Sequence, residues 1–327
     1  MKIVIAGAGS IGCYCGALLA HSGHVVTLLG RARILDPIQE RGLTISDFSG
    51  LTRHVAAQDL TLTEDATCLA GAQVVIVTVK SGATAEMAAQ IAEYTPISIP
   101  VVSWQNGMEN ARTLRMVLLE HDVRAGMVPF NVVPTEPASF HRATSGEIVI
   151  QRGPGALGQK LSSADMPVVE SDDIEAVQWG KLVINLNNAL NALSGLALKD
   201  QLLDRNWRRL MADQMTEALM VLNAANHPVA STTPLPAWMT PHILRLPTPI
   251  FSRIAARMLT IDPSARTSMA YDLMAGRPTE IDSLQGEIIR LGAQFGVETP
   301  ICAKIRDLIE DAPETGISVD QLRLRLD

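Results

Sequence analysis

A short apolar strand that runs into a glycine turn and then a helix constrains this chain more than any other stretch. Lys2-Ile3-Val4-Ile5-Ala6 is rich in β-branched residues, the composition of a strand buried on both faces. Gly7-Ala8-Gly9-Ser10-Ile11-Gly12 follows, and Cys13 to His21 reads as an alanine- and leucine-rich helix. Strand, glycine turn and helix together are the context in which G-x-G-x-x-G means a dinucleotide site. Gly7 permits the tight turn, Gly9 lets backbone approach a pyrophosphate, and Gly12 lets helix pack on strand. Free N–H groups at the helix start, from Ser10 and Ile11 onward, receive the phosphate charge. The competing reading is a glycine turn in some other α/β protein. The glycines also break the opening apolar run and no small-residue cleavage pattern closes it, so it reads as part of a βαβ unit rather than a secretory signal.

Cofactor choice is read at the end of the second strand, His24 to Leu29. A carboxylate there binds the ribose 2′-hydroxyl of NAD, whereas an arginine accommodates the 2′-phosphate of NADP. The chain has Gly30-Arg31-Ala32-Arg33 and no carboxylate before Asp36. Arg31 reads as a phosphate clamp with Arg33 beside it, and the alternative is a solvated loop arginine. Asp36 to Arg41 reads as a short helix stopped at Gly42. Leu43 to Leu62 alternates apolar and polar residues around Gly50, as short strands in an insertion. Gln73 to Val79 is a buried strand ending at Lys80-Ser81-Gly82, on the carboxyl edge where α/β sheets place ligands. Ile99 to Ser103 ends at Gln105-Asn106-Gly107, so Asn106 falls on the same edge as Lys80. A lysine snorkelling to water and an ordinary turn are the alternatives for these two. From Val123 to Ile150 the pattern turns antiparallel.

The domain boundary is expected near Ser171, giving residues 1–171 and 172–327. Beyond it strands stop and helical periods begin. At 100° per residue, Asn185 and Asn188 fall within roughly 40° of Lys181, while Leu182, Leu186, Leu190 and Leu193 form a separate stripe. Asn is a poor interior helix former, yet Asn185, Asn187, Asn188 and Asn191 all stand here, and locally broken rules tend to mark sites. Pro228 to Pro249 reads as an ordered connection between helices. In the stretch from Ile261 to Ile289, Ser268 and Asp272 lie one turn apart on a helix ending at Gly276. Thr279 reads as the N-cap of the next helix, with Glu280 in its first turn.

The chain of 327 residues is long enough for two domains. A net charge of -7 argues against nucleic acid or an anionic membrane as a bulk partner, and no apolar run is long enough to span a bilayer. Cys13, Cys15, Cys68 and Cys302 show neither metal-ligand spacing nor paired spacing, which fits a reduced, cytoplasmic, metal-free enzyme.

Taken together, these stretches resemble the ketopantoate reductase (2-dehydropantoate 2-reductase) family over nearly the whole chain. The resemblance runs through the glycine turn, Gly30-Arg31, Val79-Lys80, Gln105-Asn106-Gly107, Trp179-Gly180-Lys181-Leu182, Thr267-Ser268-Met269 with Asp272, and Gly276-Arg277-Pro278-Thr279-Glu280-Ile281-Asp282, to Gly296-Val297-Glu298-Thr299-Pro300. It implies an α/β architecture, an N-terminal Rossmann-type doubly wound sheet followed by an all-helical substrate and dimerisation domain. It also implies NADPH-dependent reduction of a 2-keto acid within pantothenate synthesis. By the same resemblance Lys181 matches the proton donor and Glu280 a glutamate near cofactor and substrate. Lys80 and Asn106 match cofactor contacts, and Asn185 and Ser268 substrate contacts. The family's second asparagine, two turns beyond the lysine, falls on Ala189 here, and a one-residue shift brings in Asn188. Met127-Val128-Pro129-Phe130-Asn131 departs from the family's small, hydroxylated residues in a loop expected to face substrate. That departure keeps another 2-keto acid or related carbonyl compound open as substrate. A non-catalytic NADPH sensor is the third reading, against which Lys181 with Glu280 speaks. Homodimers fit the implied second domain.

Overall fold

The computed structural model describes every residue except 232–234, 257, 258, 260, 261, 311–315 and 327. Three residues of the expected Pro228–Pro249 connection, and Ile261, thus lie outside the described residues. The chain divides into two compact units, Met1–Ile174 and Glu175–Asp327.

In the first unit the strands are β1 (Lys2–Ala6), β2 (Val25–Leu29), β3 (Leu43–Asp47), β4 (Thr52–Val55), β5 (Leu60–Thr63), β6 (Val74–Val77), β7 (Val101–Ser103), β8 (Val123–Met127), β9 (Val132–Glu136), β10 (Ser139–Arg142), β11 (Ile148–Gln151) and β12 (Val168–Ser171). Eight of them form one sheet in the order β12-β11-β8-β7-β6-β1-β2-β5. The run from β5 to β8 is parallel throughout, a doubly wound order whose direction reverses between β1 and β6. Val74 to Val77 are all buried, as a parallel strand covered on both faces requires. This is the Rossmann-like sheet that the opening strand and glycine turn imply.

A second, four-stranded sheet has the order β4-β3-β10-β9. Helix α1 (Ser10–His21) is buried from Gly12 through Leu19. Its Tyr14, Cys15 and Leu18 share one core with Ile5 and Leu28 of the large sheet and Ile45 and Phe140 of the small one. Burial pushes the Cys13 and Cys15 thiols up to about 12, which leaves both as neutral packing groups.

Three expectations for this unit are corrected. The stretch from Leu43 to Leu62 is not one insertion, because β5 leaves it to join the large sheet beside β2. The stretch from Val123 to Ile150 is not purely antiparallel, since β8 runs parallel to β7. Alternation of period two fixes which face is buried but not which strand is the partner. Helix α2 spans Ala32–Arg41 and carries Pro37 inside it, instead of starting at Asp36. Asp followed by Pro imitates a helix start, but Leu35 and Ile38 are buried one turn apart, and that shared face extends the helix backwards. Helices α3 (Thr84–Tyr94), α4 (Glu109–Val117) and α5 (Leu157–Leu161) complete the unit.

Every described regular element of the second unit is helical: α6 (Ile174–Asn185, whose first residue belongs to the first unit), α7 (Asn187–Ser194), α8 (Leu198–Leu203), α9 (Arg205–Ala224), α10 (Thr240–Leu244), α11 (Thr248–Ile254), α12 (Ser268–Met274), α13 (Ile281–Phe295), α14 (Pro300–Glu310) and α15 (Val319–Leu326), with a short 3₁₀ turn at Ala237–Met239. No described helix is long and apolar enough to cross a membrane. Glu217 of α9, itself buried, accepts the N–H groups of Ile301 and Cys302 at 2.9 and 2.8 Å and so caps α14 from a neighbouring helix.

Candidate functional site

In the first unit the glycine turn lies at the carboxyl edge of the sheet, where the strand order reverses. The N–H groups of Gly7 and Ala8 both donate to the Leu29 carbonyl at 3.0 Å, which bends the chain off β1. Gly7 has φ +122°, in the region that glycine favours, and a Cβ there would lie 2.6 Å from the Val79 nitrogen. A Cβ on Gly12 would lie 2.2 Å from the Gly7 carbonyl oxygen, which the Thr78 hydroxyl already engages at 2.6 Å. Gly9 differs from both: a Cβ there meets nothing within 4 Å, and no side chain caps the helix start. The turn is therefore packed shut behind and open at Gly9. The N–H groups of Ser10, Ile11 and Gly12 precede the first intrahelical bond, from Cys13 N–H to the Gly9 carbonyl. This cradle fits a phosphate.

Arg31 follows directly on Gly30 and is exposed in extended conformation at the head of α2, with Arg33 exposed beyond it. The segment is held by Thr63, whose carbonyl takes the Gly30 N–H at 3.0 Å, and by Glu64, whose carboxylate takes the Ala32 N–H at 2.8 Å. Lys80 is exposed just beyond β6, and Asn106 is half-buried beyond β7. A polar network ties these two ends together. Gln105 donates to the Val79 carbonyl at 2.9 Å and to the Thr84 hydroxyl at 2.7 Å, and Asn110 donates to the Ser81 hydroxyl at 3.0 Å and to the Asn106 carbonyl. Gln105, Thr84 and Asn110 are the supports that the sequence reading missed. Their signal was available, since buried polar residues clustered at strand ends and helix starts are the usual scaffolding of a sheet edge. The Met127–Asn131 segment lies partly in the core. Val128 and Phe130 are buried in the first unit's core. Phe130 meets the Tyr14 ring at 5.8 Å, and the Arg142 guanidinium lies 4.2 Å over its face. Phe130 is a packing anchor rather than a residue facing substrate.

In the second unit Lys181 lies on α6. Its neighbour Gly180 has no room for a side chain, because a Cβ would lie 2.0 Å from the Ala230 carbonyl oxygen. The Ala230 N–H bonds the Ala176 carbonyl at 2.9 Å and fixes that segment against α6. Lys181 is half-buried, and burial pulls its ammonium down to about 8. Asn185, one turn on, is buried.

The continuous helix expected through Leu193 is interrupted at Leu186, where α6 ends and α7 begins. The four asparagines also divide. Asn187 and Gln201 exchange both amide bonds at 3.2 Å, while Asn191 donates to Gln201 at 3.1 Å and accepts the Thr267 N–H at 3.0 Å. Those two are structural amides. Replacing Asn187 by Ala should cost on the order of 2 kcal/mol by stranding the Gln201 Nε2 donor, seen in urea unfolding. The Thr267 hydroxyl donates to the Asn188 carbonyl at 3.1 Å, which brings the exposed Ser268 at the head of α12 beside α7.

Gly276 ends α12 at φ +60°, and the Asp272 carboxylate grips the Arg277 guanidinium at 3.1 Å. This fixes the turn from which α13 starts. The helix begins at Ile281, with Glu280 rather than Thr279 at the capping position and no side-chain cap bond. Because the Glu280 carbonyl receives the first turn's bond, from Ser283 N–H at 3.0 Å, the Glu280 side chain precedes the helix instead of sitting in its first turn. Among the described residues no group of His, Cys, Asp and Glu is arranged to hold a metal ion.

Two family models match the chain: Ketopantoate reductase PanE/ApbA over residues 3–155, and Ketopantoate reductase PanE/ApbA C terminal over residues 173–312. The chain belongs to the ketopantoate reductase family. A ketopantoate reductase of known structure from Ralstonia eutropha is 32% identical, with TM-score 0.79, and 94% of this chain covers 97% of that one. The 2-dehydropantoate 2-reductase of Halobacterium salinarum is 27% identical over 97% of this chain and all of its own length. A D-mandelate dehydrogenase solved with NADH and anilino(oxo)acetate shares the fold, at TM-score 0.78 and 22% identity over 95% of this chain and 98% of its own. The protein is thus an oxidoreductase of an NAD(P)-dependent family whose members act on CH–OH groups and small keto acids.

Proposed function

We propose that this family member reduces a 2-keto acid with NADPH, 2-dehydropantoate first among the candidates, and that Lys181 is the proton donor. The observation that carries the reading is Lys181 itself, an ammonium brought down to about 8 by burial and followed one turn later by a buried asparagine. A group poised near the working pH is suited to giving up a proton.

On this reading the first unit, residues 1–174, is the NADP-binding domain. Its Gly7–Gly12 turn receives the pyrophosphate, Arg31 pairs with the ribose 2′-phosphate, and Lys80 and Asn106 meet the cofactor at the sheet edge. NADPH, when bound, supplies hydride to the keto carbon. The second unit is the substrate domain. The Lys181 ammonium stabilises the developing alkoxide and delivers a proton to that oxygen. Glu280 orients the lysine or a substrate hydroxyl, while Asn185, Asn188 and Ser268 hold the rest of the acid by neutral hydrogen bonds.

The test is a panel of 2-keto acids, 2-dehydropantoate included, assayed with NADPH and NADH by absorbance. Dehydropantoate should give the highest kcat/KM and NADPH should be preferred. A better substrate elsewhere in the panel would reassign the acid, and equal use of both cofactors would overturn the clamp. Arg31→Ala should weaken NADPH affinity by roughly 10-fold, as expected for loss of one charge-assisted phosphate contact, and leave NADH affinity unchanged. Parallel losses with both cofactors would show that Arg31 does not read the phosphate.

A further inference from the structure

The break at Leu186 has a physical cause within the helical unit. Leu186 itself keeps helical dihedrals, φ -54° and ψ -28°, and its N–H still bonds the Leu182 carbonyl at 3.0 Å, so the chain passes from α6 to α7 without turning away. Gln285 of α13 is fully buried, and its Nε2 donates to the Leu186 carbonyl at 2.9 Å across a sequence separation of 99 residues. A side-chain donor that engages a ladder carbonyl is a recurrent way for a helix's regular hydrogen bonding to be interrupted. The other atom of that amide, Oε1, is buried and has no partner among the described residues. The amide is therefore fixed by this single bond and by packing.

The position of the bond matters more than its strength. Asn185 is the last residue before the break and Asn188 the second after it, so the bond falls between Lys181 and Asn185 on one side and Asn188 on the other. Gln285 also lies five residues into the helix that Glu280 leads, about 7.5 Å along its axis. One hydrogen bond thus joins the element bearing Lys181 to the element bearing Glu280. We propose that Gln285 is a positioning residue: its amide holds the Leu186 carbonyl at the junction of α6 and α7 and so sets Lys181, Asn185 and Asn188 in register with Glu280. Gln285 touches neither substrate nor cofactor and acts through the backbone it holds. This rests on the reading of Lys181 and Glu280 given above.

The test compares Gln285→Met, similar in shape but without a donor, with Gln285→Asn, which keeps the amide on a shorter reach. Thermal stability, NADPH affinity by fluorescence titration, and kcat and KM for the keto acid are measured on each, with turnover normalised to folded, NADPH-binding protein. Gln285→Met should lower kcat/KM for the keto acid by roughly 10- to 100-fold, the scale on which small misplacements of reacting groups are felt. NADPH affinity should stay within about twofold, because the proposed cofactor residues belong to the other unit, and Gln285→Asn should fall between Met and wild type. A purely structural role would instead lower the folded fraction and leave the folded molecules turning over normally. That result in either variant overturns the proposal. Lys181→Ala is run beside them. If it is impaired while Gln285→Met is not, only this inference fails; if it turns over normally, the reading of the site fails and takes this inference with it.

Discussion

Lys181→Ala should lower kcat for keto acid reduction by a factor on the order of 10² or more while NADPH still binds. The cofactor is assigned to the glycine turn and Arg31 of the first unit, whereas Lys181 is placed to act on charge that develops only in the transition state. Its loss should therefore appear in turnover more than in cofactor affinity. Burial lowers the ammonium from its ordinary value to about 8, so the group is protonated below that pH and increasingly neutral above it. A proton donor is needed for reduction, so kcat/KM for the keto acid should be flat below about pH 8 and fall as pH rises through it. The reverse oxidation needs the neutral amine and should rise over the same range. The stability linkage has its own sign. Between about pH 8 and the unfolded value of 10.5, the unfolded chain holds this proton and the folded one does not, so this group's contribution to stability increases with pH. A reduction profile that does not bend near pH 8, or near-normal turnover by Lys181→Ala, removes this residue from the mechanism.

The second large effect is on stability. Arg208 of α9 is fully buried. Its guanidinium donates to the carbonyls of Leu244, Leu202, Leu203 and Leu246 at 2.9 to 3.1 Å and to the Thr248 hydroxyl at 3.2 Å, with the Phe251 ring 4.2 Å beneath it. These carbonyls lie at the carboxyl ends of α8 and α10, where helix ends leave acceptors unsatisfied and a cation is favourable. One planar fork thus closes two helix ends. Arg208→Met should leave several buried acceptors unpaired and cost on the order of 4 kcal/mol, lowering Tm by about 10 °C. Arg208→Lys should recover little, since an ammonium cannot reproduce the five-donor plane. Calorimetry of the two variants checks this, and a Lys variant melting with the wild type would show that charge alone suffices.

What the sequence disclosed and what it hid separate along one physical line. The opening strand, turn and helix are dictated by neighbours in the chain, and the Gly7 and Gly12 close approaches sit where the glycine spacing puts them. Leu29, Thr78 and Val79 are the distant neighbours there, and the glycines already required such close approaches. The break at Leu186 could not be read, because the side chain that bonds its carbonyl, Gln285, lies 99 residues away. Asn187 and Asn191 went against helix propensity with no local explanation for the same reason: Gln201 and Thr267, which account for them, lie outside that stretch. The start of α2 was misplaced because Asp36-Pro37 carries a genuine start signal that burial of Leu35 and Ile38 outweighs. Phe130 looked like a departure in a substrate loop, and only the position of Tyr14 and Arg142 reveals it as core. Local chemistry was legible, whereas long-range hydrogen bonds to helices were not.

Transfer of hydride to the keto carbon, with a proton from Lys181 to the oxygen, is most directly tested by isotope tracing. Dehydropantoate is reduced with NADPH carrying deuterium at C4 on one face and then, separately, on the other. One of the two cofactors should place a single deuterium on the carbinol carbon of the product, seen by mass spectrometry and proton NMR. Product that forms with no deuterium from either cofactor, or no product at all from dehydropantoate or any other 2-keto acid, would contradict the account.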